Sequence, residues 1–209
     1  PEVATGLLVF PTLLEATSSV PGLVEIGSAT VELMDATSLR VAQSSGTAPR
    51  QIMNIDVADH AALLVEYNGS SPEDLAERSG AAREHFVGLD LSADPGLTSD
   101  AAARAGLWTV RKGLYAAVAG NRPSGANALL EDVVVPVDRL GETCNELNRL
   151  FDAHDYEQSV IFGHAKDGNV HFMLNEQFAD TNGLARYERF TDEMVELILD
   201  AGGSLKAEH

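Results

Sequence analysis

The chain has 209 residues, 44% of them hydrophobic, enough for a sizeable core in one domain or two small lobes. Its 32 acidic against 14 basic residues give a formal net charge of -18, which repels phosphate backbones and anionic lipid surfaces and argues against nucleic acid as a partner. The single cysteine, Cys144, rules out an internal disulfide framework or a Cys-rich zinc or iron-sulfur motif within this segment, and fits a reducing cytoplasm.

The predicted elements fall into two stretches with the same grammar, about 4–100 and about 101–209. In the first, Gly6 to Phe10 reads as a strand, Thr12 to Val24 as a helix and Ala29 to Met34 as a second strand. Gln51 to Val57 and Ala61 to Tyr67 follow, the latter a short apolar run ended by Asn68-Gly69. Ser71 begins a helix through about His85, with Pro72 in its first turn and Glu73 and Asp74 at its positive end. Phe86 to Leu91 reads as another strand.

In the second stretch, Ser99-Asp100 can cap a helix from Ala101 to about Ala119, and Asn121 to Ala126 is the clearest loop. Glu131 to Val135 is a strand closed by Pro136, and Val137 to Ala153 is a helix with Cys144 at a half-buried position. Arg186 to Ala201 forms the last helix, with Tyr187, Phe190, Met194, Leu197 and Ile198 as its apolar positions, ended by Gly202-Gly203. Strands and helices of this size in alternation predict an α+β fold, a sheet covered by helices. No apolar run reaches the roughly 18 residues of a membrane span, and the start lacks the basic region of a signal peptide.

Between the last two helices lies Gly163 to Phe172, GHAKDGNVHF, flanked by strand formers on both sides. Asp167-Gly168 between two apolar runs is a strong hairpin signal, because Gly takes a positive φ without steric cost and Asp tolerates it. A two-residue turn there would set Lys166 opposite Asn169, Ala165 opposite Val170 and His164 opposite His171. One face of the hairpin would carry Phe162, His164, Lys166, Asn169, His171 and Met173, and the other a set of core residues. Opposed residues have Cβ atoms about 4.5 to 5.5 Å apart, from which two imidazoles can converge on one divalent ion. Two ligands do not make a site, and a cross-strand His pair can equally be a surface or hydrogen-bonded pair.

GHAKDGNVHF resembles the G-H-x-x-D-G-N-x-H signature in the C-terminal substrate domain of FAD-linked oxidases, the group that contains D-lactate, glycolate and D-2-hydroxyglutarate dehydrogenases. Two further stretches agree in order and spacing: LWTVRK at 107–112 followed by EDVVVP at 131–136, and the terminal GGSLKAEH at 202–209. With Lys166 in place of a commoner Gly, the chain is most similar to the large D-lactate dehydrogenases that also carry iron-sulfur clusters. The resemblance implies a duplicated ferredoxin-like sandwich over residues 1–209, with lobes at about 4–100 and 101–209.

The same resemblance implies a small 2-hydroxy acid substrate, FAD bound mainly by a domain absent from this chain, an electron acceptor, and a divalent metal such as Zn or Mn. Iron-sulfur clusters would belong to an absent C-terminal part. His164, His171 and Glu208 would hold the metal, His209 would be the general base, and Arg111 would bind the substrate carboxylate. The planar guanidinium suits that task, since it can donate two parallel hydrogen bonds. Asn169, Lys166 and Tyr115 are further candidates for substrate contacts, and Arg122 a weaker one.

Glu208 and His209 are adjacent, so both reach one site only if the backbone turns there. Beginning at Pro1 without Met and stopping inside a motif that normally continues, the chain reads as a piece of a longer protein, cytoplasmic or peripheral to the membrane, without turnover on its own. No flavin fingerprint of the G-x-G-x-x-G kind is present. Two other classes stay open: a metal-dependent hydrolase using the same ligands with Asp167 as base, and a non-catalytic ferredoxin-like interaction module.

Overall fold

Two β-α-β-β-α units laid edge to edge build the structure, a computed structural model that describes residues 2–44, 46, 48–178 and 181–206. In chain order the elements are β1 (Glu2–Phe10), α1 (Leu13–Glu25), β2 (Thr30–Met34), α2 (Ala36–Ser44), α3 (Arg50–Met53), β3 (Ala61–Gly69) and α4 (Pro72–Phe86). They continue with α5 (Ala101–Gly120), β4 (Asn127–Val134), α6 (Leu140–Ala153), β5 (Val160–His164), β6 (Asn169–Glu176) and α7 (Thr181–Asp200). The strands form a six-stranded sheet in the order β1-β3-β2-β5-β6-β4, antiparallel throughout. Each half therefore has the same internal order, and the halves join where β2 meets β5.

One face of the sheet is covered by the helices common to both units. From α1 come Leu13, Ala16, Val20 and Leu23, from α4 Leu75 and Phe86, from α6 Leu140, Leu147 and Phe151, and from α7 Phe190, Met194 and Ile198. Phe151 meets Phe172 at 5.5 Å and Phe190 at 5.6 Å between ring centroids, which locks α6 and α7 onto β6. Each such side chain stabilises the fold by about 2 to 3 kcal/mol on burial. Ala61 to Val65 of β3 are buried without interruption, as expected of a strand sandwiched between two layers.

The other face is covered by α2, α3 and α5, which pack Leu39, Ile52, Leu107 and Leu114 on Leu7, Leu64, Met34, Phe162 and Met173. Helix α5 is also pinned by polar contacts: Arg104 Nη2 and Trp108 Nε1 donate to Glu66 Oε1 at 3.1 and 2.7 Å, and Arg104 Nε donates to Thr5 Oγ1 at 2.9 Å. Arg104, Trp108 and Arg111 share one side of the helix. The duplicated α+β sandwich expected from the resemblance is the architecture observed. Among the described residues no helix is long and apolar enough to cross a membrane.

Three local expectations are corrected. Phe86 to Leu91 is not a strand: Phe86 ends α4, and the N–H groups of Val87, Gly88 and Leu89 bond back to the carbonyls of Arg83, His85 and Phe86. Residues 36–44 form α2, which had not been expected, and β4 begins at Asn127 rather than Glu131. The hairpin turn is longer than two residues, because Ala165–Asp167 curl into a 3-10 turn before Gly168 takes φ 69°. His171 therefore faces Phe162, and His164 faces Glu32 on β2. The register differs from the expected one by two residues, an even number, so both imidazoles still share one face of the sheet.

Two glycines of the hairpin are fixed by close backbone approach. A Cβ on Gly163 would lie 2.4 Å from the Asn169 carbonyl oxygen, and one on Gly168 would lie 1.9 Å from that of Val135.

Candidate functional site

The seam between β2 and β5, on the face covered by α5, collects five charged or titratable side chains. Met34, Phe162, His171 and Asp132 lie in one row across β2, β5, β6 and β4, and Glu32 and His164 in the next. The rings of His164 and His171 are 5.2 Å apart and 88° to each other. His171 is 5% exposed, while the His164 side chain keeps 43% of its surface, so the pair opens outward at His164.

Each imidazole has a carboxylate behind it, and the two come from opposite sides of the hairpin. His164 Nδ1 lies 2.8 and 3.0 Å from the two oxygens of Glu32. His171 Nδ1 lies 3.1 Å from Asp132 Oδ1. Asn169 steadies the second carboxylate, giving one amide N–H to Asp132 Oδ1 at 2.7 Å and the other to the Val133 carbonyl at 3.1 Å. The hydrogen-bonded Glu32 carboxylate fixes the His164 tautomer that presents a lone pair at Nε2, the usual arrangement of metal-binding histidines, while the Asp132 approach to His171 is close without a directed hydrogen bond.

Arg111 reaches the same place from α5. It is 9% exposed, its guanidinium carbon stands 5.3 Å from the Phe162 ring centroid, and its Nη2 lies 2.8 Å from Glu32 Oε2. That contact is an ion pair without a directed hydrogen bond: among the described residues, Nε and Nη2 are both buried donors with no hydrogen-bond partner. These two nitrogens form the edge of the guanidinium that can give parallel bonds to a carboxylate, and buried donors are costly until something accepts from them. Neighbouring Lys112 instead lies over Trp108, at 5.7 Å.

The remaining expected site residues are dispersed. Lys166 sits in the 3-10 turn and donates to the Ala29 carbonyl at 3.0 Å, tying the hairpin to the start of β2. Tyr115 is 51% exposed and lines a different hollow of about 520 Å³ with Arg122, Asn127, Leu129 and Phe178. Arg122 donates there to the carbonyls of Ala119 and Ala126. Glu208 and His209 lie outside the described residues. Among the described residues, no three His, Cys, Asp or Glu side chains are grouped to hold a metal. Cys144 is fully buried and its thiol is pushed up to about 12, by burial first and by the charge of Asp35 second, which removes it as a nucleophile.

Glu32 and Asp132 went unnoticed in the sequence. A lone carboxylate in the otherwise apolar strand Thr30–Met34 is a signal, since a buried charge demands a partner. Asp132 stands in EDVVVP beside an equally acidic Glu131, and only the strand's facing tells them apart: Glu131 accepts from Tyr187 OH on the other side of the sheet.

The profile of the family described as "FAD linked oxidases, C-terminal domain" matches residues 1–209. A probable mitochondrial D-lactate dehydrogenase of Danio rerio is 26% identical over 209 residues, covering 99% of this chain and 40% of its own. The glycolate oxidase subunit GlcD of Escherichia coli K12 is 29% identical over 213 residues, covering 100% and 40%. A D-2-hydroxyglutarate dehydrogenase of Haemophilus influenzae is 24% identical over 212 residues, covering 93% of this chain and 20% of its own. The chain thus spans less than half the length of these relatives.

Among solved structures, an alkyldihydroxyacetonephosphate synthase superposes with TM-score 0.63 at 12% identity, covering 98% of this chain and 40% of that one. The 4-ethylphenol oxidase of Gulosibacter chungangensis does so with TM-score 0.62 at 14% identity, covering 100% and 46%. These two likenesses concern the fold alone. With the whole length matched by one profile, the chain belongs to the C-terminal domain family of FAD-linked oxidases.

Proposed function

We propose that this chain is the substrate- and metal-binding domain of a flavin-dependent 2-hydroxy acid dehydrogenase, acting on D-lactate or a similar acid. The observation that carries the reading is the meeting of Arg111, a buried guanidinium with two unmatched donors, and the His164–His171 pair on one face of the sheet. The names of the three relatives favour a 2-hydroxy acid as substrate, and the family favours FAD as the electron carrier, bound by a domain outside this chain.

His164 and His171 would hold a divalent ion with Glu208 as third ligand, and the carboxylate behind each imidazole fits that use. Such an ion supplies acidification of an alcohol it touches, as it does of water. Arg111 binds the substrate carboxylate through Nε and Nη2 and so orients the hydroxyl-bearing carbon. His209 would take the hydroxyl proton, a task suited to an imidazole at neutral pH, and FAD, when bound, would supply the two-electron acceptor that oxidation to the 2-oxo acid requires. Buried Phe162 and Met173 form an apolar floor beside the imidazoles.

The test is anaerobic mixing of the FAD-loaded intact protein with D-lactate, glycolate and D-2-hydroxyglutarate. At least one should bleach the flavin, with Arg111→Met raising KM by tenfold or more, while residues 1–209 alone should not turn over. Flavin that stays oxidised with all three acids contradicts the reading.

A further inference from the structure

Glu32 touches both halves of the site. Its Oε1 lies 2.8 Å from His164 Nδ1, and its Oε2 lies 2.8 Å from Arg111 Nη2. It is 5% exposed, so this carboxylate is removed from water and held by those two partners. The strand dictates its place: Glu32 pairs with His164 across the β2–β5 seam and with Leu64 across β2–β3, which points it at α5. Asp132, the carboxylate behind His171, approaches His171 Nδ1 at 3.1 Å and accepts the Asn169 amide at 2.7 Å.

We propose, on the basis of the function inferred above, that Glu32 is a positioning residue that sets metal affinity and substrate-carboxylate affinity together. As acceptor at Nδ1 it fixes the His164 ring and its tautomer for coordination. As counter-charge to Arg111 it holds a buried guanidinium beside Phe162, where Nε and Nη2 are buried donors with no hydrogen-bond acceptor among the described residues. The two duties meet in one carboxylate, so disturbing it is felt at both binding events. Carboxylates behind metal-binding histidines typically account for 10- to 100-fold in metal affinity, and a guanidinium that loses its counter-charge also loses its fixed geometry.

The experiment compares Glu32→Gln, Glu32→Asp and Asp132→Asn in the intact protein, measuring Zn2+ dissociation constants by calorimetry and KM and kcat for the best 2-hydroxy acid. Glu32→Gln should weaken zinc binding by about tenfold or more and raise KM by a similar factor. Asp132→Asn should weaken zinc binding and, at saturating zinc, raise substrate KM by clearly less than Glu32→Gln does. Glu32→Asp keeps the charge on a shorter stem; it should fold even if the glutamine variant does not, and should recover part of both affinities. Wild-type zinc affinity in the Glu32 variants, or a KM change equal to that of Asp132→Asn, overturns the positioning role while leaving the proposed function intact. Failure of the wild type to bind zinc or to oxidise any 2-hydroxy acid overturns both.

Discussion

Asp35 Oδ2 accepts the backbone N–H of Ile161 at 2.7 Å, joining β2 to β5 one residue beyond the end of β2. Its other oxygen accepts the Ser38 N–H at 2.7 Å at the start of α2. Burial pushes this carboxyl up to about 6 against the pull of those hydrogen bonds and of Arg40. A raised folded-state pKa means that the native state holds the proton more tightly, so the contribution is full below about 3.8 and is lost as pH rises through about 6. Asp35→Asn is uncharged throughout. Chemical denaturation at pH 4 and pH 7 should therefore show the wild type losing about 2 kcal/mol relative to the variant across that span; an unchanged gap would refute the assignment.

Gly168 at φ 69° ends the 3-10 turn, and a Cβ there would sit 1.9 Å from the Val135 carbonyl oxygen. Gly168→Ala should cost at least about 1 to 2 kcal/mol from the left-handed backbone alone, with the clash added. For a chain of this size that lowers Tm by about 4 °C or more, which differential scanning calorimetry reads directly. Gly125→Ala, at φ 84° with no atom near its would-be Cβ, should pay only the backbone part.

Glu176, 1% exposed, is held by two bonds from Arg186 at 2.9 and 2.7 Å and by Tyr156 OH at 2.8 Å. Burial raises its carboxyl, but the hydrogen bonds from Arg186 and Tyr156 outweigh it and the net direction is down from 4.5. A lowered folded-state pKa contributes stability above the ordinary value and loses it as pH falls. Arg186→Met, which leaves a buried carboxylate short of its partner, should cost about 3 kcal/mol at pH 7. Urea titrations should find that cost shrinking toward pH 3; a cost independent of pH would contradict the pairing.

The apolar periodicity of α7 was plain in the sequence, because Phe190, Met194 and Ile198 form one stripe buried against the sheet. The site was legible to the extent that it rests on the hairpin motif and on Arg111. The register was not, because Asp167-Gly168 gives no sign that Ala165 and Lys166 would curl into a 3-10 turn, and only the match of Phe162 to His171 settles it. Glu32 stayed hidden for a different reason. Its partners His164 and Arg111 are 132 and 79 positions further along, and no local pattern announces a contact made by strand order.

Calorimetric titration of the intact protein with Zn2+ at neutral pH, for the wild type, His164→Ala, His171→Ala and Cys144→Ala, tests the central claim most directly. An ion bound only by the folded site adds about 2.7 kcal/mol at 100 times its dissociation constant, so melting followed in parallel should rise with zinc. The wild type and Cys144→Ala should bind one ion with the same affinity, and each histidine variant should lose most of the binding and of the stabilisation. No binding by the wild type, or equal binding by all four proteins, would contradict a metal site at the His164–His171 pair.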